Sequence, residues 1–291
     1  MQKHAMLIMA HNQFEILELL MKQLDHERND LYIHVDQKVK GFDQKHFENV
    51  CTHSKVRFVP RMKVYWGDSS MVDCELMLLK EAMASGEDYM YLHLLSGVDL
   101  QIKNTDEIHQ FFDEHPYKQF LAFRNTQSGL KGMQHYFYFM RLREFSKPLA
   151  KGLNYFSQKI QELLKVDRLE DCKYRLYKTQ QWFSITSECA EYVLSQQEFI
   201  KTFTEHTNCS DEMFLGTVIM NSPFARQVYR SRGVEGHMRL IDRERAEKAS
   251  PHTMTMDDWD LIVNCPYFWA RKFDTNRDEA IIKKVFNAWS N

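Results

Sequence analysis

Four short polar clusters carry the residues of this 291-residue chain best equipped for chemistry. The first is Cys209-Ser210-Asp211-Glu212-Met213-Phe214-Leu215. Ser210 is a good N-cap, which predicts Asp211 and Glu212 in the first turn of a helix. Helix-start N–H groups there would keep Glu212 ionised, as a general base must be to accept a proton. Capping by acids, with no catalysis, is the other reading of the same residues. The second cluster, Phe268-Trp269-Ala270-Arg271-Lys272-Phe273-Asp274, sets two cations between aromatics. Arg271 and Lys272 are either a solvated basic pair or a substitute for a metal ion on a departing diphosphate.

The third cluster is Tyr91 to Leu100, a buried strand that runs through Ser96-Gly97 into Asp99. The fourth lies where two N-terminal strands end, one in Ala10-His11-Asn12 and the other in His34-Val35-Asp36-Gln37-Lys38. Ligands of parallel sheets sit beyond the carboxyl ends of the strands. Asp36 can therefore accept hydrogen bonds from a uracil or ribose, or simply start a turn. A divalent cation on a diphosphate usually needs more than one carboxylate, and the Asp99 turn offers one. The sole Asp-x-Asp, Asp258-Trp259-Asp260, falls inside a helix capped by Thr255, where the macrodipole alone accounts for acids. No GxGxxG is present, so a dinucleotide fold is not indicated.

The elements that must position these residues alternate through the first half. Strands are expected at Met6–Ala10, Leu31–Val35, Val56–Val59, Tyr89–Leu95 and Phe120–Phe123. Between them, one helix carries Phe14, Leu17, Leu20, Met21 and Leu24. Another, capped by Ser69 or Ser70, buries Val72, Leu76, Leu79 and Met83. A third is capped by Thr105. Apolar strands alternating with helices predict an α/β fold with a mainly parallel sheet covered on both faces. Residues 125–177 are rich in aromatics and cations and poor in strand pattern, with a helix at Lys159–Val166. Such an insertion often holds a second substrate. Strands resume at Gln181–Thr186 and His237–Ile241.

A formal charge of −2 gives no basic excess, which argues against a nucleic-acid partner. The opening apolar run is too short to span a bilayer and lacks a cleavage site. The six cysteines show no CxxC spacing and read as reduced thiols. These features point to the cytoplasm. The cations Arg141, Arg143, Lys147 and Lys151 suit either water or the inner face of an anionic membrane.

Taken in order, the clusters resemble the core-2/I-branching β-glycosyltransferases, a group that includes the peptide-O-xylosyltransferases. The matching segments are His34-Val35-Asp36-Gln37-Lys38, Val64-Tyr65-Trp66-Gly67-Asp68-Ser69-Ser70-Met71-Val72, and Leu94 to Lys103. Gln181-Trp182-Phe183-Ser184-Ile185, Ser210 to Phe214, and Phe268 to Asp274 follow. The resemblance implies a single GT-A-type domain, with residues 1–124 as its nucleotide-binding half and 125–291 as its acceptor-binding and catalytic half. It implies inversion at the sugar C1 without a metal or other cofactor, from a UDP-sugar to a glycan hydroxyl, in surface polysaccharide synthesis. The acceptor includes lipid-linked precursors among its forms. N-acetylglucosamine, xylose, glucose and galactose are all open as the donor sugar.

By the same resemblance Glu212 is the catalytic base and Lys272, with Arg271, holds the diphosphate. Asp36 and His11 lie near the nucleoside. Asp99, Trp182 and Asp211 are assigned to the acceptor side. The chain departs from the family pattern in three places. His252, with Lys248 nearby, stands where the family has a second diphosphate-binding cation. Arg243 follows Arg239-Leu240-Ile241-Asp242 where a Trp is usual, and Lys178-Thr179-Gln180-Gln181 lacks the usual Gly-Ser. Eukaryotic relatives are anchored, disulfide-bonded Golgi proteins, so the absence of both signals here points to a bacterial form. Two rival readings are a glycoside hydrolase using Asp99 and Glu212 as its carboxylate pair, and a binding module without turnover.

Overall fold

A computed structural model describes residues 2–246 and 250–290, so Lys248 lies outside the described residues. The main sheet uses β1 (Lys3–Ala10), β2 (Asn29–Val35), β3 (Lys55–Phe58), β4 (Tyr89–Ser96), β6 (Phe120–Phe123) and β7 (Thr179–Thr186). Its order is β3-β2-β1-β4-β7-β6. The first four strands are mutually parallel, while β7 runs antiparallel to both β4 and β6. A small second sheet places β9 (Trp269–Arg271) between β5 (Leu100–Gln101) and β8 (Arg239–Ile241).

The α/β expectation holds, and helices cover both faces. Phe14–Leu24, Thr105–Asp113 and Glu279–Trp289 pack on one side; Ser70–Met83, Ser187–Ser195 and Phe214–Met220 pack on the other. Burial on both faces is why β1, β2 and β4 are nearly continuous apolar runs. The six cysteines are unpaired, and no helix among the described residues is long and apolar enough to cross a membrane.

The differences from expectation are local. The Ser70–Met83 helix buries Glu75, Cys74, Leu78 and Ala82 along with Val72 and Leu79, leaving Leu76 and Met83 half-buried. Its first N–H groups are served by Asp68, which accepts from Ser70 N, because Ser70 Oγ is taken by Tyr65 N. Thr105 turns its hydroxyl inward onto Gln23 instead of capping. The helix expected at Lys159–Val166 spans Lys147–Leu163, capped by Ser146 with Pro148 in its first turn.

Candidate active site at the carboxyl ends of the strands

The turn after β4 closes on itself. Asp99 N donates to Ser96 O at 3.0 Å, and Asp99 Oδ2 accepts from Ser96 N at 2.9 Å. Asp99 is thus only 1% exposed, and its Oδ1 faces Nε of Arg271 at 3.5 Å. Asp99, assigned by resemblance to the acceptor side, is turned inward onto Arg271. A hydrolase that needs Asp99 and Glu212 on either side of a glycosidic bond loses one of its two acids by that burial.

Arg271 leaves β9 and lays its guanidinium over the Trp182 ring, 3.8 Å from the centroid. Trp182, assigned by resemblance to the acceptor side, is itself buried, with this ring face covered by the guanidinium. Burial pulls the Arg271 pKa down from its usual value, Asp99 opposes that shift, and Arg243 adds to it. Nη1 of Arg271 is buried without a hydrogen-bond partner. A guanidinium with an unused buried donor and a second guanidinium in its field is a place for an anion.

Lys272, next in the chain, donates from Nζ to Ser250 Oγ at 2.7 Å. Its backbone carbonyl accepts from Met254 N. The His252 ring is committed to Asp258, with Nε2 3.0 Å from Oδ2. Asp258 also accepts from Arg245 and completes a capping box with Thr255. The Asp-x-Asp triplet is thereby a helix start, and His252 buttresses it. Beyond the ends of β1 and β2, Asp36 Oδ1 accepts from Lys38 N at 2.8 Å, a turn-forming bond that leaves Oδ2 beside Lys38 Nζ at 3.5 Å. His11 is exposed next to them, in the field of Asp36, Lys38 and Arg271.

Glu212 reaches the cleft by a different route from the one predicted. Cys209, at φ 55°, turns the chain into a three-residue 3-10 segment, Ser210–Glu212, and the helix starts only at Phe214. Ser210 Oγ makes no cap bond. The turn is pinned by Cys209 N donating to Gly67 O at 2.8 Å. Gly67 sits at φ +73, and a Cβ there would meet Met140 at 3.2 Å, so only glycine fits without strain. Side-chain cations, not helix N–H groups, face Glu212: Lys178 Nζ is 3.0 Å from Oε2 and Arg243 Nη2 is 3.8 Å from Oε1. Both cations stand at positions where the sequence departs from its family pattern. Arg243 also acts on Arg271, so Glu212 and Arg271 share a charged neighbour.

Behind Glu212, Asp211 is buried and its carboxyl is pushed up to about 7, first by burial and then by the charge of Glu212. Glu75, fully enclosed, accepts from Gln181 Nε2 at 2.9 Å and is raised well above the carboxylate range by burial and by Asp211. Asp211 therefore lies buried beneath Glu212. Its folded pKa lies above the 3.8 of an ordinary aspartate, so folding loses stability as pH rises between those values. Asp211→Asn is expected to raise the melting temperature at pH 8, by up to about 4 kcal/mol of stability, and to give no gain near pH 4. Melting curves at the two pH values check this, and a gain independent of pH would remove the buried charge as its cause.

Sequence reasoning missed the parts played by Lys178, Arg243, Glu75 and Arg239. Glu75 had a legible signal, since it stands at helical spacing with Val72, Leu79 and Ala82 on a core-facing stripe. Among the described residues, the His, Cys, Asp and Glu side chains with metal-like spacing are His26, Asp106 and His109. They lie at the amino-terminal end of the sheet, away from this cleft. His26 Nδ1 accepts from Arg28 N, which puts the neutral ring's proton on the nitrogen facing Asp106.

Known proteins align along nearly all of this architecture. Xylosyltransferase 2 of Rattus norvegicus is 22% identical over 308 residues, covering 96% of this chain and 32% of the relative. The xylosyltransferase of Ciona intestinalis is 20% identical over 303 residues, with 96% and 33% covered. Beta-glucuronosyltransferase GlcAT14B of Arabidopsis thaliana is 22% identical over 290 residues, with 93% and 62% covered. The chain thus spans about a third of the length of the xylosyltransferases it matches. Among solved structures, mouse xyloside xylosyltransferase 1 in its apo form aligns with a TM-score of 0.42 and 11% identity, over 93% of this chain and 97% of that one. The Core-2/I-Branching enzyme profile matches residues 5–263, from β1 through the helix that ends at Asn264, and the chain belongs to that family.

Proposed function

We propose that the protein is an inverting glycosyltransferase that moves a sugar from a UDP-sugar to a glycan hydroxyl without a metal ion. The observation that carries this is the pairing of a partly exposed carboxylate, Glu212, with Lys178 and Arg243, the latter also in the field of Arg271. The nucleoside lies over Asp36 and His11 in the 1–124 half. The acceptor enters from the 125–291 half. Xylose and glucuronic acid, the sugars in the relatives' names, become the first donors to try, followed by N-acetylglucosamine, glucose and galactose.

In the reaction the acceptor oxygen attacks C1 from the face opposite the nucleotide, and Glu212 takes its proton. The bond between C1 and the phosphate oxygen breaks, and its electron pair leaves with UDP. Arg271, Lys272 and Arg243 offset the negative charge that develops on the diphosphate. Cations fixed by Trp182, Asp99 and Ser250 need no reorganisation at that moment.

Calorimetric titration with UDP in EDTA tests the reading. Micromolar binding supports it, and binding that appears only with added manganese overturns the metal-free part. Lys272→Ala removes a charge-assisted contact worth about 1.5–3 kcal/mol, so UDP should bind about 10- to 100-fold more weakly. An unchanged dissociation constant would take Lys272 out of the donor site.

A further inference from the structure

The helix Lys147–Leu163 is amphipathic in the reverse sense. The residues it turns inward are small or polar: Ala150, Asn154 and Gln161 are buried. Asn154 Oδ1 accepts from Phe139 N at 3.1 Å. Gln161 Oε1 accepts from Tyr136 N at 2.7 Å, and its Nε2 donates to Tyr136 O at 3.0 Å. These side chains supply the hydrogen bonds that the strandless 136–139 segment cannot get from a sheet.

The apolar residues of the helix face outward. Leu149, Phe156, Ile160 and Leu163 recur at spacings of a single helical stripe, and Phe145 and Leu164 extend it at either end. Phe145 is 86% exposed, Leu163 82% and Phe156 66%. Isolated apolar residues on a surface are ordinary, but a contiguous stripe of this kind marks a contact.

The charges around the stripe select the partner. Lys147, Lys151, Lys159 and Lys165 accompany it, and the one acid between Lys147 and Lys165 is Glu162, which is paired with Lys159. Just upstream, Arg143 stacks on Trp66, an indole 65% exposed. Lysines, an exposed indole and a Phe/Leu stripe on a helix that lies along the surface form the pattern of an interfacial membrane helix. The same segment is tied to the cleft. Glu144 pairs with Lys38, two residues from Asp36, and Arg141 pairs with Asp68.

We propose that the Lys147–Leu163 helix seats the protein on an anionic lipid bilayer, with its apolar stripe among the acyl chains and its lysines at the headgroups. Bilayer binding stands whether or not the chain transfers sugar. If it does, the helix holds the cleft at the surface where lipid-linked acceptors are found.

The test is flotation of the full chain with vesicles of phosphatidylcholine alone, or of phosphatidylcholine and phosphatidylglycerol in equal parts. The protein should float with the anionic vesicles only, and salt should weaken binding. The double variant Phe156→Glu, Leu163→Glu should bind at least about tenfold more weakly. Both side chains are exposed, so its melting temperature and UDP titration should match the parent's, which separates loss of lipid binding from misfolding or a failed donor site. No flotation with anionic vesicles would overturn the proposal, as would undiminished flotation of the variant. A parent dimer that the double variant converts to a monomer would also overturn it, by assigning the stripe to a second copy of the chain.

Discussion

Glu212→Gln is expected to lower sugar transfer by about 10²–10⁴ while leaving UDP binding intact or tighter. The glutamine fills the same space but cannot accept the proton of the acceptor hydroxyl. It also removes the anion that pairs with Lys178 at 3.0 Å and Arg243 at 3.8 Å. Arg243, which lies in the field of Arg271, is then without a competing carboxylate, so the proposed diphosphate affinity should not fall. The fold should be indifferent, because the lost ion pairs are at the mouth of the cleft and worth about 1 kcal/mol or less each. Turnover with a competent donor and acceptor, set beside UDP calorimetry on the same samples, reads both quantities. Transfer at the parent rate would dismiss Glu212 as the base. Loss of UDP binding together with transfer would make it a structural residue of the donor site.

The layout of strands and helices around this site was legible because burial on both faces leaves continuous apolar runs. β1, β2, β4 and β7 were each located to within three residues at either end. The site was legible as a set of positions but not as a set of pairings. Asp99 and Arg271 lie in clusters far apart in sequence, yet β5 and β9 are adjacent strands with Leu100 opposite Ala270. The Asp99–Arg271 pair follows from that register, and no local pattern contains it. Trp182 is assigned to the acceptor side by resemblance, and only the fold shows that a guanidinium occupies its face.

Two misreadings share one cause. Glu75 on a core-facing stripe, and Asn154 and Gln161 on the inner face of the Lys147–Leu163 helix, all point polar groups inward. Periodicity arguments assume that apolar residues mark the buried side. Where a polar side chain supplies hydrogen bonds to a backbone segment, or sits against a second carboxyl beneath a site, the assumption fails. The helix boundary missed by twelve residues is the same error, since an outward apolar stripe blurs the pattern that would have announced it.

Arg239→Met is expected to destabilise the protein by about 3–5 kcal/mol and to weaken UDP binding with it. β4 and β7 pair from Tyr91–Thr186 to His93–Ser184 and then separate. In the gap, Nη2 of Arg239 donates to Leu94 O at 3.0 Å and to Phe183 O at 2.6 Å, while Nη1 donates to Ser184 Oγ at 2.9 Å and to His237 O. The guanidinium replaces the ladder bonds that the splayed strands have lost, and its face rests on Trp269, 4.8 Å from the ring centroid. Burial is costly enough to bring the Arg239 pKa down to about 9, so the cation is retained because four acceptors depend on it. Methionine fills similar volume but takes the guanidinium donor away from four buried acceptors, of which Ser184 Oγ keeps His93 Nδ1 at 2.7 Å. Trp182, next to Phe183, carries Arg271, so collapse of the wedge should disturb the Arg271 guanidinium and the donor site proposed there. A urea midpoint measured with and without UDP separates the two effects. A variant as stable as the parent would mean that the strands close the gap themselves, and stability lost without any change in UDP affinity would uncouple the wedge from the site.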